Sequence, residues 1–519
     1  MTIVTHSQRR PGGDRTPDRG DQSPLTRSAK LFGTLLIALA TAVGMSSTSA
    51  MADEDAALTP GPTVIADPNS PTGYTVQFVY HDPDATTVTF VADILLRDWE
   101  DRSNTTVYQP DQYRPGLMRG GGAYETAMTE VGDGYWVTEV PLAAGANQYW
   151  FYVDGNRQLW VTDPANPPIY APDGLTGTAR RAFNKVNVPY DAQKQDYAPM
   201  AAREIENPRP DSPEANWSYV PFEVDGTTRT LGVYLPPNYD ENRSTPYKTI
   251  YMQHGGGQDQ SDWMNIGSVP VIMDNLIQDG LTEPAVVITT NANYLGSAQD
   301  GYPNLREVII PFVESNYNVS SHPTQRAFAG LSMGSFVTSN IVNHDPTMFG
   351  YYGPWSGGVS INPDTPNLAV PYILYGGGAW DFGLPNPDAV AVRDAVGIVE
   401  NVVVAGAHDF NAWNQLFTIF ARDYLWKPGA FLTDEIGQLR DGVADTSLNK
   451  GLKNALTVKL DQAYKQVERG NTSGALGALD AFVDQVQALT KPGKLSAEEA
   501  AELTMTAEKV VFNVGYWNQ

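Results

Sequence analysis

Arg326-Ala327-Phe328-Ala329-Gly330-Leu331-Ser332-Met333-Gly334 decides the reading of this chain. The first four residues make a short strand, and Phe336 to Val342 reads as a helix ending near Asn343-His344-Asp345-Pro346. A serine between two glycines at such a junction is the G-x-S-x-G nucleophile elbow. The turn is so tight that its flanking positions tolerate almost no side chain, and the hydroxyl is lifted clear of the backbone. A strand-turn-helix of this kind points to an α/β-hydrolase, a mixed and mostly parallel sheet flanked by helices.

A serine hydroxyl is a poor nucleophile at neutral pH and needs a base within hydrogen-bond reach. The chain has 6 histidines, few enough to sort one by one. His6 lies in the leader, His81 in an N-terminal β segment, and His322 in a turn before Pro323. His344 closes the helix after the elbow, and His254 opens a glycine run. His408 remains, on the loop after the apolar strand Val402-Val403-Val404, where such a fold keeps its base. In the chain order Ser…Asp…His the acid must lie between the two. Asp381 follows the buried-type strand Pro371-Tyr372-Ile373-Leu374-Tyr375, whereas Asp364 and Asp388 sit in Pro-rich loops and read as turn residues. The oxyanion hole needs backbone N–H groups. Met333, directly after the serine, supplies one. Gly255 and Gly256, in the loop after the strand Thr249 to Gln253, supply the other.

With these residues in place, the segment from about Asn216 to Trp426 resembles the esterase D / feruloyl esterase group of α/β-hydrolases (carbohydrate esterase family 1), which also includes enterochelin esterases and mycolyltransferases. The matching words are Arg229 to Tyr239, Tyr251-Met252-Gln253-His254-Gly255-Gly256-Gly257 with Trp263, Ala329 to Gly334, and His408-Asp409-Phe410-Asn411-Ala412-Trp413. The resemblance implies Ser332 as nucleophile, Asp381 as acid and His408 as base, with no cofactor and no metal. Ser335 stands where many members have a further glycine. Trp263, Trp355 and Trp380 lie nearest the motif loops and are expected to line an acyl or sugar pocket, while Trp413 locks the histidine loop.

The chain is 519 residues long, with formal net charge −25 and no cysteine. That acidity argues against nucleic-acid or anionic-membrane partners. The absence of thiols excludes disulfides and thiolate metal sites. Residues 1–52 read as a signal peptide: Arg9, Arg10, Arg15, Arg19, Arg27 and Lys30 precede an apolar run from Leu31 to Met45, and Ala50-Met51-Ala52 is an A-x-A cleavage signature. The run is too short for a membrane span. A secreted protein starting near Asp53 is expected.

Residues 53–71 read as a disordered linker and 72–188 as an Ig-like β-sandwich. Val76, Phe78 and Tyr80 alternate on one strand, Val88, Phe90 and Ala92 on the next, and two aromatic strands follow. Gly134-Tyr135-Trp136, Asp154-Gly155 and Asp163 to Pro167 resemble the early-set, family 48 carbohydrate-binding modules; most of the aromatics are expected to be core. Residues 189–215 read as a second linker, 216–430 as the esterase domain, and 431–519 as a three-helix bundle resembling helical repeats appended to secreted proteins of Gram-positive bacteria. Ser496-Ala497-Glu498-Glu499 is a capping box opening its last helix.

The whole describes a secreted serine carboxylesterase acting on acyl esters, feruloyl or acetyl, of a polysaccharide. The alternatives are a siderophore (enterochelin-type) esterase, a mycolyl-type acyltransferase, and a non-catalytic glycan-binding protein whose mark would be a lost triad member.

Overall fold

The computed structural model describes residues 58–517 except 182, 211–214, 358–360, 363, 366–370 and 383–398. The leader expected over 1–52 and Asp388 lie outside the described residues. Two four-stranded antiparallel sheets come first. One has the order β1 (Gly61–Ala66), β2 (Tyr74–His81), β6 (Tyr135–Pro141), β5 (Thr129–Glu130). The other runs β4 (Leu117–Ala127), β3 (Val88–Asp98), β7 (Gly145–Val153), β8 (Asn184–Val188). Val76, Phe78 and Tyr80 of the first sheet share a core with Phe90, Ala92, Tyr149 and Phe151 of the second. Side chains alternate along a strand, so Val91, Trp150 and Tyr152 leave the other face of the second sheet and join the core of the large central sheet. β7 is therefore buried at every residue but Val153, polar Asn147 and Gln148 included, because both its faces are covered.

The sheets begin earlier than expected. The stretch read as disordered linker contains β1, paired with β2 from Gly61↔Val79 to Ala66↔Tyr74. Pro62 is tolerated because β1 is an edge strand. The second expected linker is likewise built structure. It forms the short helix α1 (Ala198–Ala201) and a 3₁₀ turn over Ala202–Glu206, with Arg203 and Glu206 buried as an ion pair at 2.9 Å. Its charges looked like solvated linker residues but are spent on internal contacts.

The central sheet has eight strands in the order β16 (Val399–Val404), β15 (Tyr372–Gly378), β14 (Tyr351–Trp355), β13 (Arg326–Leu331), β11 (Lys248–Gln253), β12 (Ala285–Thr290), β10 (Thr227–Leu235), β9 (Asn216–Val224). The β9–β10 and β10–β12 pairs are antiparallel and the remaining pairs parallel. β12 and β13 are buried at every residue, the mark of parallel strands covered on both faces. Helices α2 (Val269–Gln278), α3 (Ile310–Asn316) and α4 (Met333–His344) connect the strands, and α5 (Phe410–Ile419) follows the last of them.

The C-terminal bundle has four helices, not three: α6 (Pro428–Asp445), α7 (Lys450–Glu468), α8 (Thr472–Thr490) and α9 (Ala497–Trp517). Pro428-Gly429, Gly437 and Gly442 disguise the first of them in sequence. Proline is acceptable in a first helical turn, and Leu432, Ile436, Leu439 and Val443 supply the apolar stripe. The bundle meets the central sheet where β14 begins: Trp517 lies 4.9 Å from Tyr351, ring centre to ring centre, at 63°. Among the described residues no helix is long and apolar enough to cross a membrane.

Candidate active site

β13 hands over to α4 at Ser332, whose backbone is forced to φ 50°, ψ −114°. A non-glycine residue there is strained, and the surroundings impose it. A Cβ on Gly330 would overlap the Gly334 carbonyl, and one on Gly334 would sit 2.6 Å from the Gln253 carbonyl oxygen. The Ser332 N–H donates to the Trp355 carbonyl at 2.9 Å, tying the elbow to β14. Ser332 Oγ lies 2.8 Å from His408 Nε2, and His408 Nδ1 lies 3.1 Å from Asp381 Oδ1. Three residues separated by up to 76 positions thus form one chain of contacts. The Asp381 carboxylate is buried, while the imidazole is about a quarter exposed. Asp364 instead takes its place in an exposed turn, its N–H donating to Asn362.

The acid and base loops are laced together. Ala379 N–H donates to the Val404 carbonyl at 2.8 Å and Trp380 N–H to the Gly406 carbonyl at 3.0 Å. Asp409 caps α5 by accepting from the Ala412 N–H at 3.1 Å, so the helix begins directly after the histidine. Trp413 meets the imidazole edge-on at 5.2 Å, consistent with a locking role. On the open side, Phe382 is 83% exposed with its ring centre 4.3 Å from that of His408. Met333 and Phe336 are also exposed. Phe382 over the imidazole and Met333 next to Ser332 give this side of the site exposed apolar surface.

The glycine loop after β11 is held from its flanks. His254 Nδ1 lies 2.7 Å from the Gly255 carbonyl, which can only accept, so Nδ1 carries the proton. Burial lowers the pKa of this histidine and keeps it neutral. A trans peptide points its C=O and N–H in opposite directions, so the Gly256 N–H faces away from the His254 ring. The Gly255 N–H donates to Gln258 Oε1 at 2.8 Å. Gly255 is therefore corrected as an oxyanion donor: its hydrogen is already used, and its part is to let the loop pass close to Ser332. A Cβ there would lie 3.2 Å from the Ser332 Cβ. Gly256 remains as the candidate donor of the loop, beside Met333, whose N–H belongs to the first helical turn of α4 and has no acceptor within the helix.

The aromatic pocket expectation needs correction. Trp263 and Trp355 are both 0% exposed, edge to face at 6.0 Å, and form the floor beneath the motif loops. Trp263 Nε1–H donates to the Gln253 carbonyl at 3.0 Å, which makes it a brace for β11. Nearness in sequence to a motif does not set side-chain direction. Trp380 is half-buried, and the Arg97 guanidinium lies over its ring at 4.5 Å.

Sequence reasoning missed this contribution from the N-terminal sheets. Arg102 Nη2 donates to the Ala379 carbonyl at 3.2 Å, and Gly120 packs against Gly406 so closely that a Cβ would lie 3.1 Å from its carbonyl carbon. Arg203 donates through Nη1 to the Asn411 carbonyl at 2.6 Å, while Glu206 accepts from the Ala146 N–H at 3.0 Å. The only available signal was arginine placed in an acidic, Lys-poor chain.

Among the described residues no cluster of histidine and carboxylates has the arrangement of a metal site. Residues 224–381 match the family described as putative esterase, and residues 433–512 match the FIMAH domain. An endo-1,4-beta-xylanase/feruloyl esterase of Xylanibacter ruminicola is 30% identical over 318 residues, covering 57% of this chain and 40% of that protein. Endo-1,4-beta-xylanase Y of Acetivibrio thermocellus is 34% identical over 142 residues, 25% of this chain and 13% of that one. The chain thus spans well under half the length of these two relatives. Among solved structures, a CE1 ferulic acid esterase from Anaeromyces mucronatus is 20% identical, covers 42% of this chain and 94% of its own, and has a TM-score of 0.37. An enterobactin esterase from Shigella flexneri is 14% identical, with coverage of 71% and 97% and a TM-score of 0.44. The chain carries an esterase-family domain over residues 224–381, and residues 433–512 are similar to the FIMAH domain.

Proposed function

We propose that this protein is a serine carboxylesterase working through an acyl-enzyme on Ser332. The carrying observation is the unbroken line Ser332 Oγ to His408 Nε2 to Asp381, at 2.8 and 3.1 Å, on a strained elbow. His408 takes the hydroxyl proton as Oγ attacks the ester carbonyl. The C–O bond to the alcohol then breaks and the imidazolium returns the proton to the leaving oxygen. Asp381 holds the Nδ1–H tautomer and stabilises the imidazolium. The Met333 and Gly256 N–H groups receive the negative charge that develops on the carbonyl oxygen. Water, activated by the same histidine, releases the acid.

For substrate we propose acyl esters on a polysaccharide, of feruloyl or acetyl type, met outside the cell. The exposed Phe382 ring over His408, with exposed Met333 next to Ser332, suits a flat acyl group. The name of the Xylanibacter relative joins feruloyl esterase to a xylan-degrading enzyme, and the leader composition supports export. A panel of methyl ferulate, acetylated xylan, ferric enterobactin and p-nitrophenyl acetate, with a fluorophosphonate probe, tests both levels. Turnover of methyl ferulate or acetylated xylan with labelling at Ser332 is expected. Turnover of enterobactin alone would replace the polysaccharide reading with the siderophore one. A folded protein that resists the probe and turns over nothing would leave a binding protein.

A further inference from the structure

Arg180 belongs to the N-terminal sheets by its place in the chain, between β7 and β8, yet its side chain ends inside the hydrolase. It is 7% exposed. Nη1 bonds to Asp259 Oδ2, Nη2 donates to Ser261 Oγ at 2.8 Å and lies 3.7 Å from Asp262 Oδ2, and the guanidinium covers the Tyr170 ring at 3.6 Å. Asp259 and Asp262 directly follow Gly255–Gln258 and knit the turn behind that loop. Asp262 Oδ2 accepts from the Asp259 N–H at 2.8 Å, and Asp259 Oδ1 accepts from the Ser261 N–H at 2.9 Å. Their side chains are 0% and 3% exposed.

Two carboxylates so enclosed repel one another and have lost their water, so the turn is stable only with a cation forked between them. Burial and the neighbouring Asp259 push Asp262 up to about 7 even with Arg180 beside it. A second tie reaches the loop itself: the Arg181 N–H donates to the Gly257 carbonyl at 3.3 Å. The segment that carries Arg180 and Arg181 thus grips both the glycine loop and the turn behind it.

We propose that Arg180 is a positioning residue for the oxyanion loop. By neutralising Asp259 and Asp262 it fixes the turn that presents Gln258 to the Gly255 N–H, leaving the Gly256 N–H to the reacting carbonyl oxygen. The esterase site is then incomplete in the hydrolase segment alone. This inference rests on the esterase reading above.

The experiment uses the full chain with Arg180→Gln, Arg180→Lys and Gln258→Leu, the last leaving the ion pairs in place. kcat and KM are read separately on p-nitrophenyl acetate, together with affinity for a trifluoromethyl ketone, which binds as a tetrahedral oxyanion. Loss of one oxyanion donor costs about 10²- to 10³-fold in kcat. Arg180→Gln and Gln258→Leu should approach that loss with KM little changed and with matching loss of ketone affinity. Arg180→Lys, a cation without the fork, should fall between, and added guanidinium should partly restore Arg180→Gln. A structural role alone would lower the melting temperature without moving the ketone affinity of the folded enzyme, and that result overturns the proposal. If Arg180→Gln does not fold, Arg180→Lys and Gln258→Leu decide, and wild-type kcat in both overturns it. A wild-type chain inert to esters and fluorophosphonate defeats the esterase reading and this inference with it. An active wild type with unaffected variants defeats only the inference.

Discussion

The N-terminal sheets and the C-terminal bundle both pack on the central sheet, but they do so at opposite ends of its strands and by different physics. The bundle sits where β14 begins, through Trp517 against Tyr351, with Trp426 from the segment before α6 on the same ring. Its stripes are aliphatic, and its core is continuous with that of the hydrolase. The N-terminal sheets sit where the parallel strands end, and much of their grip is polar: Arg180 on Asp259, Arg203 on Asn411, Arg102 on Ala379. In an open α/β sheet chemistry gathers at the carboxyl ends of the strands. One neighbour can therefore shape the reaction, while the other can only hold the sheet. Directional contacts fix loops to fractions of an ångström; apolar burial supplies free energy with little orientation.

Ser332→Ala should produce the largest effect, lowering ester turnover by roughly 10⁴-fold or more with the melting temperature unchanged. The cost combined with His408→Ala should be little greater than either alone, because the residues act as one unit. Additive losses, or residual turnover within tenfold of wild type, would show that another group carries the reaction.

The next two changes separate the regions. Arg203→Met leaves Glu206 as an uncompensated buried charge, which costs about 3–5 kcal/mol. It also frees Asn411, three residues after His408, so kcat should fall as well. Trp517→Ala removes a buried indole at the other end of the sheet and should cost a similar 3–5 kcal/mol, with kcat and KM unchanged at a temperature where the variant is folded. Thermal unfolding with steady-state kinetics reads both. Equal kinetic damage from the two, or none from Arg203→Met, would break the comparison.

Acidity sharpens it further. Asp93 lies on the second sheet, hydrogen-bonded to Gln148, and burial with the nearby Asp409 pushes its carboxyl up to about 7. Asp262, on the hydrolase side of the same contact, behaves alike. A carboxyl with a raised folded pKa binds its proton more tightly folded than unfolded. Stability should therefore decline as pH rises from about 4 to about 7 and then level. Asp93→Asn should remove its share of that decline, seen as a flatter plot of melting temperature against pH. An unchanged slope would place the ionisation elsewhere.

How much of this was legible in the sequence follows from the same division. Ser332, Asp381 and His408 stand at junctions with strong local signals, and the structure brings them together because motif and strand order agree. The Ser496–Glu499 box was legible for the same reason: two reciprocal hydrogen bonds need only a spacing of three. Long-range packing was not. Trp263 and Trp355 looked like pocket residues because their direction depends on α2, α5 and the sheet together. The charged stretch 189–215 looked like a linker because what anchors Arg203 to the hydrolase, Asn411, lies 208 positions away. The helix α6 was hidden by a proline and glycines whose cost tertiary burial overrides.

The smallest expected effect lies in the bundle, where the comparison is most exposed to failure. The Ser496 N–H donates to Glu499 Oε2 at 3.0 Å, and the Glu499 N–H donates back to Ser496 Oγ at 3.1 Å. The same carboxylate accepts from the Ser447 N–H at 2.6 Å, so one side chain caps α9 and ties it to the turn after α6. These hydrogen bonds hold the Glu499 carboxyl down at about 2. Ser496→Ala leaves the Ser447 contact intact and removes one cap acceptor, worth about 1 kcal/mol. Because α9 meets the central sheet through Trp517 on Tyr351, at the end away from Ser332, this loss should appear in thermal unfolding and nowhere in kcat, KM or fluorophosphonate labelling. A kinetic change from so remote a cap would mean that the bundle communicates with the strand ends after all, and the division between a shaping neighbour and a holding one would have to be given up.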